Sequence, residues 1–569
     1  MTGRADTAPK TPKSPEPMRS STAEGHGAPA DNVGRGWGVP GGVEGFGTSS
    51  HALCTETGRP RQGPADMVSR RHGREGTSRN PQQSSEESDA LVVPTCEKSA
   101  KTRVTPVEPM EGRGAAHGKP APRNASPAQD GQDALTFLER VGQRAKDKKE
   151  ERFNNLLSHI KVPLLTEAYQ RLRKDAASGV DGVTWSEYGE NLDARLLDLQ
   201  DRVHRGSYHP QPVRRVYIPK GDGRTRPLGI PSLEDKIVQQ AARMLLEPIY
   251  EREFLGFSYG FRPDRSPHQA LDALAVAIGR KVSWVLDADI RAFFDTIQHA
   301  WMQKFIEHKI ADTRLVRLLM KWLHAGVMEE GELHEVQEGT PQGGIISPLL
   351  GNIYLHYVLD LWVASWRKKR ARGEVYVVRY ADDFVMGFQH EQDARAMRTA
   401  LAERLAMFGL ELHPDKTRVI RFGRFAHRDS RRDGRTRPET FDFLGFTHIV
   451  ALGSKGATLL VRRTSRKKRN AKLASLRRQM RERRHDPPRQ QHAWLSSVLR
   501  GHYGYYGVPR NYAALASFHR RVTQYWLRSL QRRSQRARWT REKYAAFEAR
   551  FALPTPRITH PPPRLRTGP

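Results

Sequence analysis

The chain is 569 residues long, enough for several domains and a sizeable core. Its 95 Lys and Arg residues outweigh 63 Asp and Glu residues, for a formal net charge of +32. A positive field of this size points to a polyanionic partner, nucleic acid first and a membrane surface second. Two cysteines, Cys54 and Cys96, exclude a disulfide framework and a Cys-rich zinc site. No apolar run approaches the roughly 18 to 20 residues that span a bilayer, and the N-terminus has no signal-peptide pattern. A cytoplasmic protein of the bacterial cytosol or nucleoid, with no membrane partner, is therefore expected.

Residues 1–133 are rich in Gly, Pro, Ser, Thr, Arg and Glu without a sustained apolar period, as in Gly34-Arg-Gly-Trp-Gly-Val-Pro-Gly-Gly42, and read as a disordered tail. A helix is expected from about Ala134 to Arg152, where Leu135, Phe137, Leu138 and Val141 form one apolar face. Val213-Arg-Arg-Val-Tyr-Ile-Pro219 reads as a strand and Lys220-Gly-Asp-Gly-Arg224 as the turn of a hairpin. A helix follows from Leu233 to Tyr250, and Ser283-Trp-Val-Leu-Asp-Ala-Asp-Ile290 is strand-like. Val375 to Phe388 reads as a β-hairpin, two apolar runs around Ala381, Asp382 and Asp383. After about 450 the basic run Arg462-Arg-Thr-Ser-Arg-Lys-Lys-Arg469 opens a region expected to be mostly helical, with Tyr and Trp interleaved among Arg and Lys. Mixed helices and strands with a central antiparallel hairpin define an α+β fold.

Chemistry concentrates in the carboxylates. Asp287 and Asp289 lie two apart on a strand, so period-two geometry sends both to one face. One of them, with Asp382 and Asp383 at the hairpin tip, makes a set of three convergent acids. The spacing alone does not choose between Asp287 and Asp289. Three such carboxylates suit two divalent ions that activate a 3′-hydroxyl and stabilise a leaving pyrophosphate.

These blocks carry a family resemblance. Leu286-Asp-Ala-Asp-Ile-Arg-Ala-Phe-Phe-Asp295, Gly339-Thr-Pro-Gln-Gly-Gly-Ile-Ile-Ser-Pro348 and Tyr380-Ala-Asp-Asp383 resemble successive catalytic motifs of the group II intron reverse transcriptases and maturases. Gly409-Leu-Glu-Leu-His-Pro-Asp-Lys-Thr417 and Phe441-Asp-Phe-Leu-Gly-Phe446 resemble the next two blocks. Upstream, Ile218-Pro-Lys220, Arg226-Pro-Leu-Gly-Ile-Pro231 and Tyr259-Gly-Phe-Arg-Pro263 resemble the fingers motifs. The blocks stand in family order across roughly residues 150 to 450. Arg500-Gly-His-Tyr-Gly-Tyr-Tyr-Gly507 and Arg533-Ser-Gln-Arg-Ala-Arg-Trp539 are the pieces that resemble the thumb and maturase domain.

The resemblance implies a right-hand polymerase: fingers and palm over 134–446, then a basic helical thumb and maturase domain over 447–569. It implies an RNA-directed DNA polymerase that binds its intron RNA and assists splicing and mobility, with RNA template, DNA primer or target, and dNTPs as partners. Asp289, Asp382 and Asp383 would hold two Mg²⁺ ions. Lys220 and Arg226 would grip the triphosphate, and Gln342 would lie near the incoming nucleotide. Phe294 would exclude a 2′-hydroxyl and so favour dNTPs. Arg462, Arg463, Lys467, Lys468 and Arg469 are candidate RNA contacts. A C-terminal endonuclease module is expected to be missing, because no cysteine follows Cys96 and the late histidines show no cluster. A homodimer is left open. Intact acids in two motifs argue against the competing reading of a splicing-only maturase with a relic polymerase site.

Overall fold

The computed structural model describes residues 127–219, 225–329, 332–334, 338–340, 343–453, 456, 458–534 and 539–562, with side chains from residue 135 and Pro219 excepted. The expectation of disorder over 1–133 lies, up to residue 126, outside the described residues. From Pro127 the chain is helical as far as Asp147, so the helix expected from Ala134 begins a little earlier.

An antiparallel sheet organises the centre, in the order β6-β7-β3-β8. Its strands are β3 (Trp284–Asp289), β6 (Val375–Tyr380), β7 (Asp383–Phe388) and β8 (Arg418–Arg421). Each alternates strictly between two cores. Leu286, Ala288, Phe384, Met386, Val375 and Val377 join the larger one, which includes Leu350, Ile353, Met397 and Leu401 from flanking helices. Val285, Val378, Val385 and Ile420 join a second core with Leu271, Leu274 and Ile278. Those three lie on helix Pro267–Gly279, started by a capping box between Ser266 and Gln269 and by Pro267 in its first turn. Period-two alternation then puts Asp287, Asp289 and Asp383 on the face of the second core. The sheet buries both faces along most of its length, and the acids stand where the apolar cover ends.

Before this sheet stands another of order β2-β1-β4-β5, whose edge strand β5 spans Glu332–His334. β1 (Val213–Pro219) and β2 (Thr225–Ile230) pair antiparallel with Pro219 opposite Thr225, while β1 and β4 (Val327–Glu329) run parallel. The expected turn at 220–224 lies outside the described residues, although the strands it would join are paired as a hairpin requires. Helix Leu233–Glu253 follows β2 and is capped by Ser232, whose hydroxyl accepts from the Asp235 amide at 3.2 Å.

The boundary expected at 446 falls at the start of a strand. β9 (Phe441–Phe443), β10 (Phe446–Leu452) and β11 (Thr458–Thr464) form a three-stranded antiparallel sheet, and the helical C-terminal region begins only at Arg466. The alternating pattern of β11 is masked in sequence by its two arginines. One of them, Arg462, points inward. Helices Arg466–Glu482, Pro488–Tyr506 and Tyr512–Gln531 then close a third core around Leu476, Leu495, Leu499, Phe518 and Trp526. Among the described residues, no helix is long and apolar enough to cross a membrane.

Candidate active site

The acidic hairpin is built on a strained turn with a buried support. β6 ends at Tyr380 and β7 begins at Asp383, so two residues, Ala381 and Asp382, make the reversal. Ala381 has φ +56, a left-handed conformation that costs a side-chain-bearing residue about 1 kcal/mol. Its carbonyl is held at 3.0 Å by Nη1 of Arg379, a guanidinium with no exposed surface. The same nitrogen donates to Asn352 Oδ1 at 2.9 Å, and Nε and Nη2 form a fork with Asp360 at 2.8 and 2.5 Å. Asn352 lies on helix Ser347–Leu355, and Asp360 ends the π-helical turn His356–Asp360 that follows. On the other side, Gly260 presses against the turn: a Cβ there would stand 2.2 Å from the Ala381 nitrogen. The Asn352 amide donates to the Gly260 carbonyl at 2.7 Å, tying both supports together.

Across the sheet, Asp289 is the register partner of Asp383, whereas Asp287 sits opposite Val385 and Arg418. The Asp287 carboxylate lies 3.5 Å from the Arg418 guanidinium, and burial outweighs that charge to push its pKa up to about 6. Asp289 is ion-paired with the Lys416 ammonium. Asp383 is open to solvent at the rim yet surrounded by protein. Desolvation, then the charges of Asp382 and Asp289, push its pKa up to about 7, and Lys468 opposes the rise. Asp382 is also raised, by burial first and by Asp289, with Arg226 and Arg379 acting against it. The three acids therefore share one field of mutual repulsion.

All three are hard oxygen donors of the kind Mg²⁺ prefers, and their repulsion is what a divalent cation relieves. Among the described residues, no three Asp, Glu, His or Cys side chains converge closely enough to hold an ion as they stand. The Lys416 ammonium takes part of the role of a cation at Asp289, so the donor set fits a metal once that pair opens.

The remaining candidates gather around the acids unequally. Phe294 sits on the 3₁₀ turn Phe293–Asp295, half-buried and edge-on to Phe293 at 5.0 Å. The Thr340 amide donates to the Phe294 carbonyl at 2.8 Å, which brings Thr340 beside this turn. Gly343 adopts φ +124, and a Cβ there would stand 2.3 Å from the Gly229 carbonyl of β2. Three sequence blocks, around 294, 340 and 229, thus meet. Lys220 and Gln342 themselves lie outside the described residues. Arg226 is exposed on β2, and its charge reaches Asp382.

Of the basic candidates, Arg463, Lys467 and Lys468 are exposed and Arg469 is half-buried. Arg462 corrects the expectation: it is 5% exposed, with Nη1 on Asp272 Oδ1 at 2.7 Å, so its charge serves the interior. Its place on β11 decides this, since alternation sends neighbouring arginines to opposite faces. Beside β9 and β10, an open groove of about 540 Å³ is lined by Asp442, Thr447, Ser465, Arg466 and Asn470. Sequence reasoning passed over Arg379, Asp360, Asn352 and Gly260. A signal was available for the first: an arginine inside the apolar strand Val375 to Tyr380 breaks the local pattern and so asks for a buried partner.

The sheet, its acidic hairpin and the ordered motifs define a reverse transcriptase domain: residues 218–448 match the family described as reverse transcriptase (RNA-dependent DNA polymerase). The chain is 39% identical over 237 residues to Protein YkfC of Escherichia coli (strain K12), a match covering 37% of this chain and 62% of that protein. It is 38% identical over 237 residues to the group II intron-encoded protein LtrA of Lactococcus lactis subsp. cremoris, covering 41% of this chain and 39% of LtrA. To the putative COX1/OXI3 intron 1 protein of Saccharomyces cerevisiae it is 30% identical over 319 residues, covering 47% and 38%. The matches thus span less than two thirds of each relative. Residues 218–448 therefore form a reverse transcriptase domain, and the relatives it resembles include a group II intron-encoded protein and an intron protein. Reverse transcriptases as a family use divalent metal ions.

Proposed function

We propose that this protein is an RNA-directed DNA polymerase encoded by a group II intron, and that it also binds the intron RNA and assists splicing and mobility. The observation that carries the reading is the register pairing of Asp289 with Asp383 at the rim of one sheet face, next to Asp382 in the hairpin turn, so that the three carboxylates repel one another. Two Mg²⁺ ions bound there would activate the primer 3′-hydroxyl and neutralise the triphosphate. The protein's own residues do the rest. Arg226 and Lys220 hold phosphate oxygens through charge-assisted hydrogen bonds, Gln342 borders the nucleotide, and the Phe294 ring packs where a 2′-hydroxyl would project.

In this reading the β6-β7-β3-β8 sheet is the palm, the β2-β1-β4-β5 sheet belongs to the fingers, and the helices from Arg466 form the thumb and maturase part of a 447–569 domain. The exposed cations Arg463, Lys467 and Lys468 meet RNA phosphates near the acids, with intron RNA template, DNA primer or target, and dNTPs as the partners. Mg²⁺-dependent extension of a DNA primer on an RNA template tests it. The wild type is expected to extend, and Asp382→Ala/Asp383→Ala to lose synthesis while retaining RNA affinity. A folded wild type that binds RNA but never extends would turn the reading to a splicing-only maturase.

A further inference from the structure

A second surface carries chemistry that polymerisation does not use. Between Arg421 and Arg437 the chain holds seven arginines against two aspartates. β8 leads into helix Ala426–Arg432, which ends where Gly434, at φ +70, donates its N–H to the Arg431 carbonyl at 3.1 Å. The helix buries Ala426 and Ser430, and the His427 ring bonds the Val450 carbonyl of β10 at 3.0 Å. Everything else faces outward: Arg424, Phe425, Arg431, Arg432 and Arg437 are all exposed.

Acidic neighbours account for part of this charge. Arg428 pairs with Asp429 and Arg421 with Asp433, each at 3.0 Å, and Arg435 lies 3.6 Å from Glu439. Among the described residues, Arg424, Arg431, Arg432 and Arg437 have no carboxylate partner. The helix dipole favours cations in the last turn, which explains Arg431 and Arg432, but Arg424 and Arg437 lie outside that turn. Phe425 is 36% exposed, with the Arg424 and Arg428 guanidiniums 4.5 and 4.7 Å from its ring centroid. The other exposed phenylalanine among the described residues, Phe261, sits by the acidic hairpin near the Tyr380 ring.

The position is as telling as the composition. β8 runs antiparallel to β3, with Arg418 opposite Asp287 and Arg421 opposite Trp284. The arginine surface therefore leaves the sheet at the Trp284 end, five strand residues from Asp289, or about 16 Å at roughly 3.3 Å per residue. We propose that this face binds an RNA strand apart from the polymerase site, its phosphates on the unpaired arginines and one unpaired base stacked on Phe425. The inference rests on the reading of the chain as an RNA-binding reverse transcriptase and gives it a second RNA contact. An exposed aromatic among guanidiniums suits an unpaired base, which duplex DNA does not offer. One phenylalanine supplies too little apolar area to anchor a membrane surface.

The test uses the full chain, with Arg431→Gln/Arg432→Gln/Arg437→Gln as one variant and Phe425→Ala as another, each checked for an unchanged thermal melt. The probes are a labelled RNA hairpin with an unpaired loop, a fully paired RNA duplex and a DNA duplex, followed by anisotropy across a salt series. The arginine variant is expected to bind the RNA hairpin more weakly, with a log–log salt slope shallower by about 2 to 3. Phe425→Ala is expected to weaken the looped RNA by about 5- to 150-fold and the paired duplexes far less. Extension of a pre-annealed primer–template should stay within about twofold of wild type for both, on the separation argued from the strand rise.

Unchanged RNA affinity and slope in the arginine variant would overturn the proposal, as would equal loss by Phe425→Ala on looped and paired probes. Loss of primer extension alongside RNA binding would overturn the separation of the two surfaces. Lost binding to phosphatidylserine vesicles with unmoved RNA affinity would assign the face to a membrane instead. If the wild type never extends a primer, the polymerase reading fails, and the binding arms still decide this one.

Discussion

Replacing Arg379 by Met separates the energy of the buried network from its role in aiming the acids. Arg379 and Asp360 have no exposed side-chain surface, so the substitution leaves a carboxylate buried without its cation. Breaking a buried pair in this way costs about 3 to 5 kcal/mol, a large part of the roughly 5 to 15 kcal/mol by which a domain is stable. The double variant Arg379→Met/Asp360→Leu removes both charges and is expected to recover most of that loss, because a well-packed apolar pair is commonly neutral or better than a buried ion pair. Activity should not recover with it. The Ala381 carbonyl and Asn352 both lose their donor, at 3.0 and 2.9 Å in the native protein, and the left-handed turn loses its anchor. A shift of about 1 Å in reacting groups costs on the order of 100-fold in rate. Urea denaturation and kcat for primer extension, measured on the single and double variants under conditions where both are folded, give the two answers separately. A double variant with wild-type kcat would refute the positioning role. A single variant with an unchanged denaturation midpoint would refute the energetic one.

Gly260→Ala tests the same turn from the other side. A Cβ 2.2 Å from the Ala381 nitrogen must displace backbone, so a loss of about 1 to 3 kcal/mol and a kcat at least tenfold lower are expected, read by denaturation and primer extension. His448 governs a pH effect. Its ring is fully buried and stacked on Phe441 at 4.7 Å, and burial, helped by the Arg462 charge, pushes its pKa down to about 3. The unfolded chain takes up the proton near 6.5, so this group's contribution is intact above that pH and is lost as pH falls toward 3. From pH 7 to 5 the loss is about 2 kcal/mol, and His448→Phe should lessen the acid dependence of the denaturation free energy by about that amount. Identical pH slopes in the two proteins would contradict it.

Much of the site is legible in the chain itself, for a physical reason that differs from element to element. Strand alternation is local, so a spacing of two is enough to assign Asp287 and Asp289 to one face, and β-branched runs around Ala381 and Asp382 mark the hairpin. Helix Leu233–Glu253 is equally legible from its apolar period and its Ser232 cap. Such signals depend on neighbours within a few residues, and the chain carries them wherever it goes.

Cross-strand register does not travel that way. That Asp289 and not Asp287 stands opposite Asp383 follows from how β3 and β7 slide into place, which depends on packing both faces of the sheet at once. The inward turn of Arg462 onto Asp272 joins residues 190 apart in sequence, and no local pattern distinguishes it from Arg463 beside it. The fork of Arg379 on Asp360, the press of Gly260 against Ala381, and the arginines exposed around Phe425 are likewise products of tertiary packing. The chain alone determined which residues have the chemistry to bind metal, nucleotide and RNA. Only the folded arrangement decided which of those charges meet each other and which remain for a partner, because burial and pairing are settled between segments distant in sequence.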